Sequence, residues 1–169
     1  GVIFPQDAVE QICLAARERR IASYLDGARL WNAAVASGRT VASLAAPFDL
    51  VGVALSKGLG APSGSMLAGS RELIARAVRH RRMLGGAMRQ VGIFAAAALY
   101  GLDHCIERLA EDHANARRIA GRLANCRRIE LDLATVQTNI IVFRLAPGAP
   151  DAAALVGRAR ERGVLVTAF

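Results

Sequence analysis

Asp49-Leu50-Val51-Gly52-Val53-Ala54-Leu55-Ser56-Lys57-Gly58-Leu59-Gly60-Ala61-Pro62 joins a short apolar run to a glycine-rich loop. The run predicts a strand over Asp49 to Leu55, and Ser56 to Pro62 predicts a loop beyond its end. Lys57 therefore follows a strand end. It is also the only lysine, since the 22 basic residues are 21 arginines and this one. A guanidinium stays protonated and forms no imine under ordinary conditions. A chain that uses arginine wherever charge is needed has kept one primary amine, and kept it here.

Reading outward, Ile21 to Leu25 is a second short apolar run, closed by Asp26-Gly27, and it predicts a strand feeding a turn. Before it, Val9, Ile12, Cys13 and Ala16 have the one-face spacing of a helix over Asp7 to Arg19, entered through Pro5. After it, helices are expected over Arg29 to Ser37, closed by Gly38, and over Val41 to Ala45. This alternation is an α/β pattern. Downstream, Ser65 to Ala68 is a third short run. Ser70 predicts the N-cap of a helix that runs to about Arg82 and breaks at Gly85-Gly86. A helix from about Met88 to Leu99 follows, then one long helix from Leu102 to near Asn125. Beyond it, Ile129 to Leu133 and Asn139 to Leu145 read as strands, Pro147 to Pro150 as a turn, Asp151 to Arg162 as a helix and Gly163 to Val166 as the start of a strand. A domain change is placed near Asn125.

Composition limits the class. Of the 169 residues, 53% are hydrophobic and 21% charged, enough to bury a core. No apolar run reaches the roughly 18 residues of a membrane span. The start, Gly1-Val2-Ile3-Phe4-Pro5, has neither a basic leader nor an initiator methionine and reads as that of a fragment. Cys13, Cys105 and Cys126 are odd in number and widely spaced, so each is expected as a small buried hydrophobe in a reducing, cytoplasmic setting, with no disulfide and no metal site. Net charge is +8. The arginines cluster without stacking aromatics, at Arg17, Arg19 and Arg20, at Arg76, Arg79, Arg81 and Arg82, and at Arg117, Arg118 and Arg122. Solvated helix faces are expected there, and no specific nucleic-acid partner.

Ligands of α/β sheets gather at strand ends. One end presents Asp26-Gly27-Ala28-Arg29 and the other Ser56-Lys57-Gly58-Leu59-Gly60. In enzymes that use pyridoxal 5'-phosphate (PLP), a lysine holds the cofactor as a Schiff base and a carboxylate keeps the pyridine nitrogen protonated. Asp26 and Lys57 are that pair of groups on successive strand ends. Arg29 can hold a substrate carboxylate through two parallel hydrogen bonds, and Gly58 and Gly60 remove side-chain bulk nearby. Taken singly, an Asp-Gly turn, a Ser-Lys-Gly loop and a first-turn arginine are ordinary surface features.

Three stretches together resemble a known family: Asp26-Gly27-Ala28-Arg29-Leu30, Leu55 to Pro62 with Gly64-Ser65, and Arg81-Arg82-Met83-Leu84-Gly85-Gly86-Ala87-Met88-Arg89-Gln90. They are similar to the low-specificity L-threonine aldolases, PLP enzymes of fold type I. Glu111-Asp112-His113-Ala114-Asn115-Ala116 and Gln137-Thr138-Asn139-Ile140 extend the likeness. The resemblance implies Lys57 as the Schiff-base lysine, Asp26 as the partner of the pyridine nitrogen and Arg29 as a substrate-carboxylate ligand. It implies Arg89 as a contact to the cofactor phosphate across a subunit interface; helix N-terminal packing is an equal reading of Arg89. The fold implied is a partial three-layer α/β/α PLP-dependent transferase-like large domain over residues 1–125, then a partial small α+β domain over 126–169. The resemblance covers about the middle half of a family member.

The implied activity is cleavage of threonine or allo-threonine to glycine and an aldehyde by a homodimer or homotetramer. The alternatives are another fold type I enzyme, either a β-eliminating lyase or an aminotransferase, a noncatalytic basic interaction domain, or an inactive remnant. Tyr24 stands where relatives tend to have histidine, Arg82 replaces a frequent lysine and Ala87 a third glycine, which puts substrate preference in doubt. His80, His104 and His113 receive no catalytic role, with His113 expected as packing or capping.

Overall fold

The computed structural model describes residues 1–168; the last residue of the expected small domain, Phe169, lies outside them. The chain forms two compact units, Ile3–His113 and a second made of Gly1–Val2 with residues 114–168.

The first unit opens with helix α1 (Gln6–Glu18), as the spacing predicts. Its end differs from expectation. Arg20 takes a left-handed φ of 56°, its N–H donates to the Arg17 carbonyl, and the Ile21 N–H donates to that of Ala16. This paired termination satisfies the last helical carbonyls, and it draws Ile21 into the helix cap. Strand β1 accordingly covers Tyr24–Gly27 rather than Ile21 to Leu25. Helices α2 (Leu30–Ser37) and α3 (Val41–Ala45) follow. Gly38 closes α2 with φ 68°, and the Thr40 hydroxyl accepts from the Ser43 N–H at the start of α3.

Strand β2 (Leu50–Ala54) lies parallel to β1, with Asp26 opposite Gly52 and Gly27 opposite Val53. Strand β3 (Ser65–Gly69) returns antiparallel on the other side of β2. One face of this sheet packs Leu25, Val51 and Val53 against Leu30 and Ala34 of α2 and Leu44 of α3. The opposite face carries Tyr24, Asp26, Gly52 and Leu67 and meets helix α4 (Arg71–Met83). Helices thus lie on both faces of the sheet, the α/β/α arrangement expected. Ser70 caps α4 by accepting from the Leu73 N–H at 3.3 Å.

Helix α5 spans Gly92–His104, not Met88 to Leu99. Gln90 has φ 53°, which a helix interior does not allow, so the chain turns before the helix begins. The expected long helix from Leu102 is likewise interrupted. Its second part, α6 (Leu109–Ala124), starts after successive three-residue turns in which Leu109, Ala110 and Glu111 donate to Ile106, Glu107 and Arg108. Tighter turns keep both Ile106 and Leu109 directed inward. Ile106 joins the core of Leu55, Leu59, Ala61 and Ala98, and Leu109 is 1% exposed. Among the described residues, no helix is long and apolar enough to cross a membrane.

In the second unit, Ala116, Ala120 and Val136 form the core with Leu131 and Ile141 against them. The two expected strands are much shorter, β4 (Ile129–Glu130) and β5 (Arg144–Leu145), paired antiparallel. Asp132 ends the first by accepting from the Ala134 N–H at 2.9 Å, which starts a 3-10 turn over Leu133–Thr135. Helix α7 (Ala152–Glu161) is capped by Asp151. The stretch expected as a strand from Gly163 to Val166 has no strand pairing. Cys13 is buried as expected and Cys105 half-buried, but Cys126 is exposed, because it sits on the turn between α6 and β4.

Candidate active site

The parallel pairing of β1 and β2 brings their C-terminal ends to one edge of the sheet. Asp26 stands on the first of these ends, and Lys57 follows the second by three residues. The register begins upstream, where Asp49 Oδ2 accepts from the Ser23 N–H at 2.7 Å and from the Ser23 hydroxyl at 2.9 Å. The Asp49 N–H in turn donates to Ser23 Oγ at 3.1 Å. These bonds hold the Asp49 carboxyl below its ordinary range, led by the Ser23 backbone N–H, then its hydroxyl, with a smaller contribution from Arg17; partial desolvation opposes them.

Asp26 is exposed, and its Oδ1 accepts from the Ala28 N–H at 3.2 Å, so the turn that follows β1 orients the carboxylate. Arg29 is the N-cap of α2, where its carbonyl accepts from the Ala33 N–H while its side chain reaches solvent. At the other end of that turn, Trp31 Nε1 donates to the Ala54 carbonyl at 3.2 Å, tying α2 to the end of β2.

Lys57 rides on a clamped loop. Leu55 and Leu59 are both buried, the Gly60 N–H donates to the Lys57 carbonyl at 2.9 Å, and the Ala61 N–H to that of Leu55 at 3.2 Å. Gly60 needs its left-handed φ of 76° to complete this turn. The Lys57 side chain is exposed. Arg89 lies in the segment between α4 and α5, exposed, and not on a helix. Among the described residues, the side chains of Lys57, Arg29 and Arg89 have no hydrogen-bond or ion-pair partner. The chain therefore places Asp26 and Arg29 at the C-terminal end of β1 and Lys57 just past that of its parallel neighbour β2, and Arg89 stands on a separate loop.

Beside Asp26, a cavity of about 550 Å³ opens between the sheet and α4, with Tyr24, Gly52, Val78 and Arg81 in its walls. The Tyr24 hydroxyl lies over Gly52, where any Cβ would collide with it.

One pair was not singled out from the sequence. Asn32 of α2 and His113 of α6 are each 2% exposed, with Asn32 Nδ2 at 3.1 Å from His113 Nε2. The signal available was an amide inside the apolar run Leu30 to Ala36 and a histidine in the buried register of Leu109, Ala116 and Ala120. His113 is a packed residue, as expected, but a hydrogen-bonded one.

Comparison with known proteins agrees with this architecture. The beta-eliminating lyase family model matches residues 1–146. The chain is 42% identical over 168 residues to the low specificity L-threonine aldolase of Escherichia coli O157:H7, covering 99% of this chain and 49% of that protein. It is 39% identical over 158 residues to the low-specificity L-threonine aldolase 1 of Arabidopsis thaliana, covering 93% and 44%. A crystal structure from Listeria monocytogenes EGD-E, assigned as an L-allo-threonine aldolase, superposes with a TM-score of 0.82 at 26% identity, covering 98% of this chain and 47% of that one. One from Exiguobacterium sp. 255-15, assigned as an aromatic amino acid beta-eliminating lyase/threonine aldolase, gives 0.83 at 25% identity, covering 96% and 46%. The chain spans about half the length of the curated relatives it matches. With the family matched over most of its residues and the fold over nearly all of them, this chain belongs to the beta-eliminating lyase family.

Proposed function

We propose that the protein is a PLP-dependent carbon–carbon lyase that cleaves L-threonine or L-allo-threonine to glycine and acetaldehyde. The observation that carries the reading is the parallel pairing of β1 and β2, which puts Asp26 and, three residues on, Arg29 at the same end of the sheet as the loop that bears the sole lysine. The likeness to proteins named L-threonine aldolases supports the choice of reaction.

The residues at that end fit PLP by their chemistry: a solvent-reached amine without a competing partner, a carboxylate oriented by its own turn, and a free guanidinium. When bound, PLP supplies a protonated ring that takes up the electron pair released as a carbon–carbon bond breaks. Lys57 is the amine that anchors it. Asp26 holds the proton on the ring nitrogen, which its ionised oxygen favours. Arg29 binds the substrate carboxylate through its planar fork, and Arg89 contacts the cofactor phosphate at a subunit interface. Residues 1–125 belong to the PLP-binding large domain and 126–169 to a small domain. The working protein is a homodimer or homotetramer in the cytoplasm.

The test is product analysis on the full-length protein supplied with PLP. Acetaldehyde and glycine should form from threonine in equal amounts. A second reading, β-elimination, is favoured by the family that matches. It predicts ammonia and a keto acid from serine, and no aldehyde from threonine; that outcome would replace the aldolase assignment.

A further inference from the structure

We infer that the buried Asn32–His113 pair is a positioning device for Lys57, acting through the backbone of Gly58. The inference rests on Lys57 being the reactive amine proposed above.

A Cβ at Gly58 would stand 2.6 Å from Leu109 Cδ2 and 3.5 Å from Asn32 Oδ1, so Leu109 closes on the residue after Lys57 and the Asn32 amide oxygen lies next to that contact. Leu109 and His113 are one helical turn apart on α6 and occupy the same face. Asn32 is thus held between the loop and the helix. Its Oδ1 faces Gly58 and its Nδ2 faces the imidazole at 3.1 Å. In this orientation the amide nitrogen donates, so His113 Nε2 accepts and the ring carries its proton on Nδ1.

Two polar side chains buried this deeply cost free energy unless their hydrogen bond forms. An apolar pair would fill the same space. A hydrogen bond differs from apolar contact in fixing direction, and the direction fixed here is that of the Asn32 amide plane against the Gly58 backbone. The loop is already bound at its two ends by the Ala61-to-Leu55 and Gly60-to-Lys57 bonds. Leu109 closes on its centre and Asn32, held by His113, lies beside that contact, leaving Lys57 with a defined backbone and a free side chain.

The test uses the full-length protein without PLP, with acetic anhydride as the amine probe and Lys57 acylation read by peptide mapping. His113→Leu should change the Lys57 acylation rate by about threefold or more, and speed amide exchange at Gly60 and Ala61, as local opening of the loop requires. His113→Gln, which keeps an acceptor, should return both toward wild type; Asn32→Ala should behave like His113→Leu. Unchanged acylation and exchange in a folded His113→Leu or Asn32→Ala protein would reduce the pair to core packing. Should these variants not fold, the nitrogen-15 shifts of His113 in the wild type decide. An unprotonated Nε2 upholds the arrangement, and a protonated one overturns it. Borohydride fixation of PLP separates this inference from the one beneath it. A pyridoxyl group on Lys57 with unaltered acylation in the variants would defeat only the positioning role. Altered acylation with no pyridoxyl group on Lys57 would defeat only the cofactor assignment.

Discussion

Ser23 and Asp49 clasp each other one residue ahead of the two parallel strands, the Asp49 carboxylate taking both the N–H and the hydroxyl of Ser23 while its own N–H returns a bond to the serine oxygen. The clasp sets which residues of β1 and β2 lie opposite, and hence which side chains share the far edge of the sheet.

A pH dependence follows from the depressed Asp49 carboxyl. A group whose pKa is lower folded than unfolded binds fewer protons in the native state, so its contribution is present above its unfolded pKa, about 3.9, and is lost as pH falls through the folded value. Urea unfolding of the wild type should therefore weaken in acid. Asp49→Asn should be less stable near neutrality and should show a shallower acid slope; parallel slopes would contradict the assignment.

Two glycine substitutions should have opposite signs. A Cβ at Gly101 would stand 2.5 Å from the Leu59 backbone carbonyl, which a rotamer change cannot relieve, whereas Gly157 on α7 has open space around it. Alanine gains at most about 1 kcal/mol of helix propensity at either site. Overpacking against backbone costs about 1–3 kcal/mol, so it wins at Gly101. Unfolding free energies from denaturant titration should fall for Gly101→Ala and rise for Gly157→Ala by about 0.5–1 kcal/mol.

Asp26→Asn should keep the cofactor anchored and lose turnover. The amide preserves shape but cannot hold a proton on the ring nitrogen by charge, a loss of order a hundredfold or more in kcat by analogy with other preorganised partners. Visible absorbance and threonine turnover measured on the same preparation check this. Wild-type turnover in Asp26→Asn would remove Asp26 from the site.

Much of this arrangement is legible in the sequence because it is local. The place of β2, the loop after it, the Gly38 closure and the Ser70 cap each depend on residues within a few positions, and the lone lysine needs only a count. What escaped depends on distant partners. The Arg20 termination moves β1 by borrowing Ile21, the break before α6 is set by where Ile106 and Leu109 find their core, and the first short strand of the second unit yields to an Asp132 turn. The Asn32–His113 bond joins residues 81 positions apart, and neither residue announces the other.

Chemical trapping tests most directly whether Lys57 carries the cofactor. Full-length protein loaded with PLP, reduced with borohydride and mapped by mass spectrometry should place a pyridoxyl group on the peptide containing Lys57, and Lys57→Ala should lose both that label and the visible absorbance. A label on any other residue of the wild type, or absorbance that survives in Lys57→Ala, would contradict it.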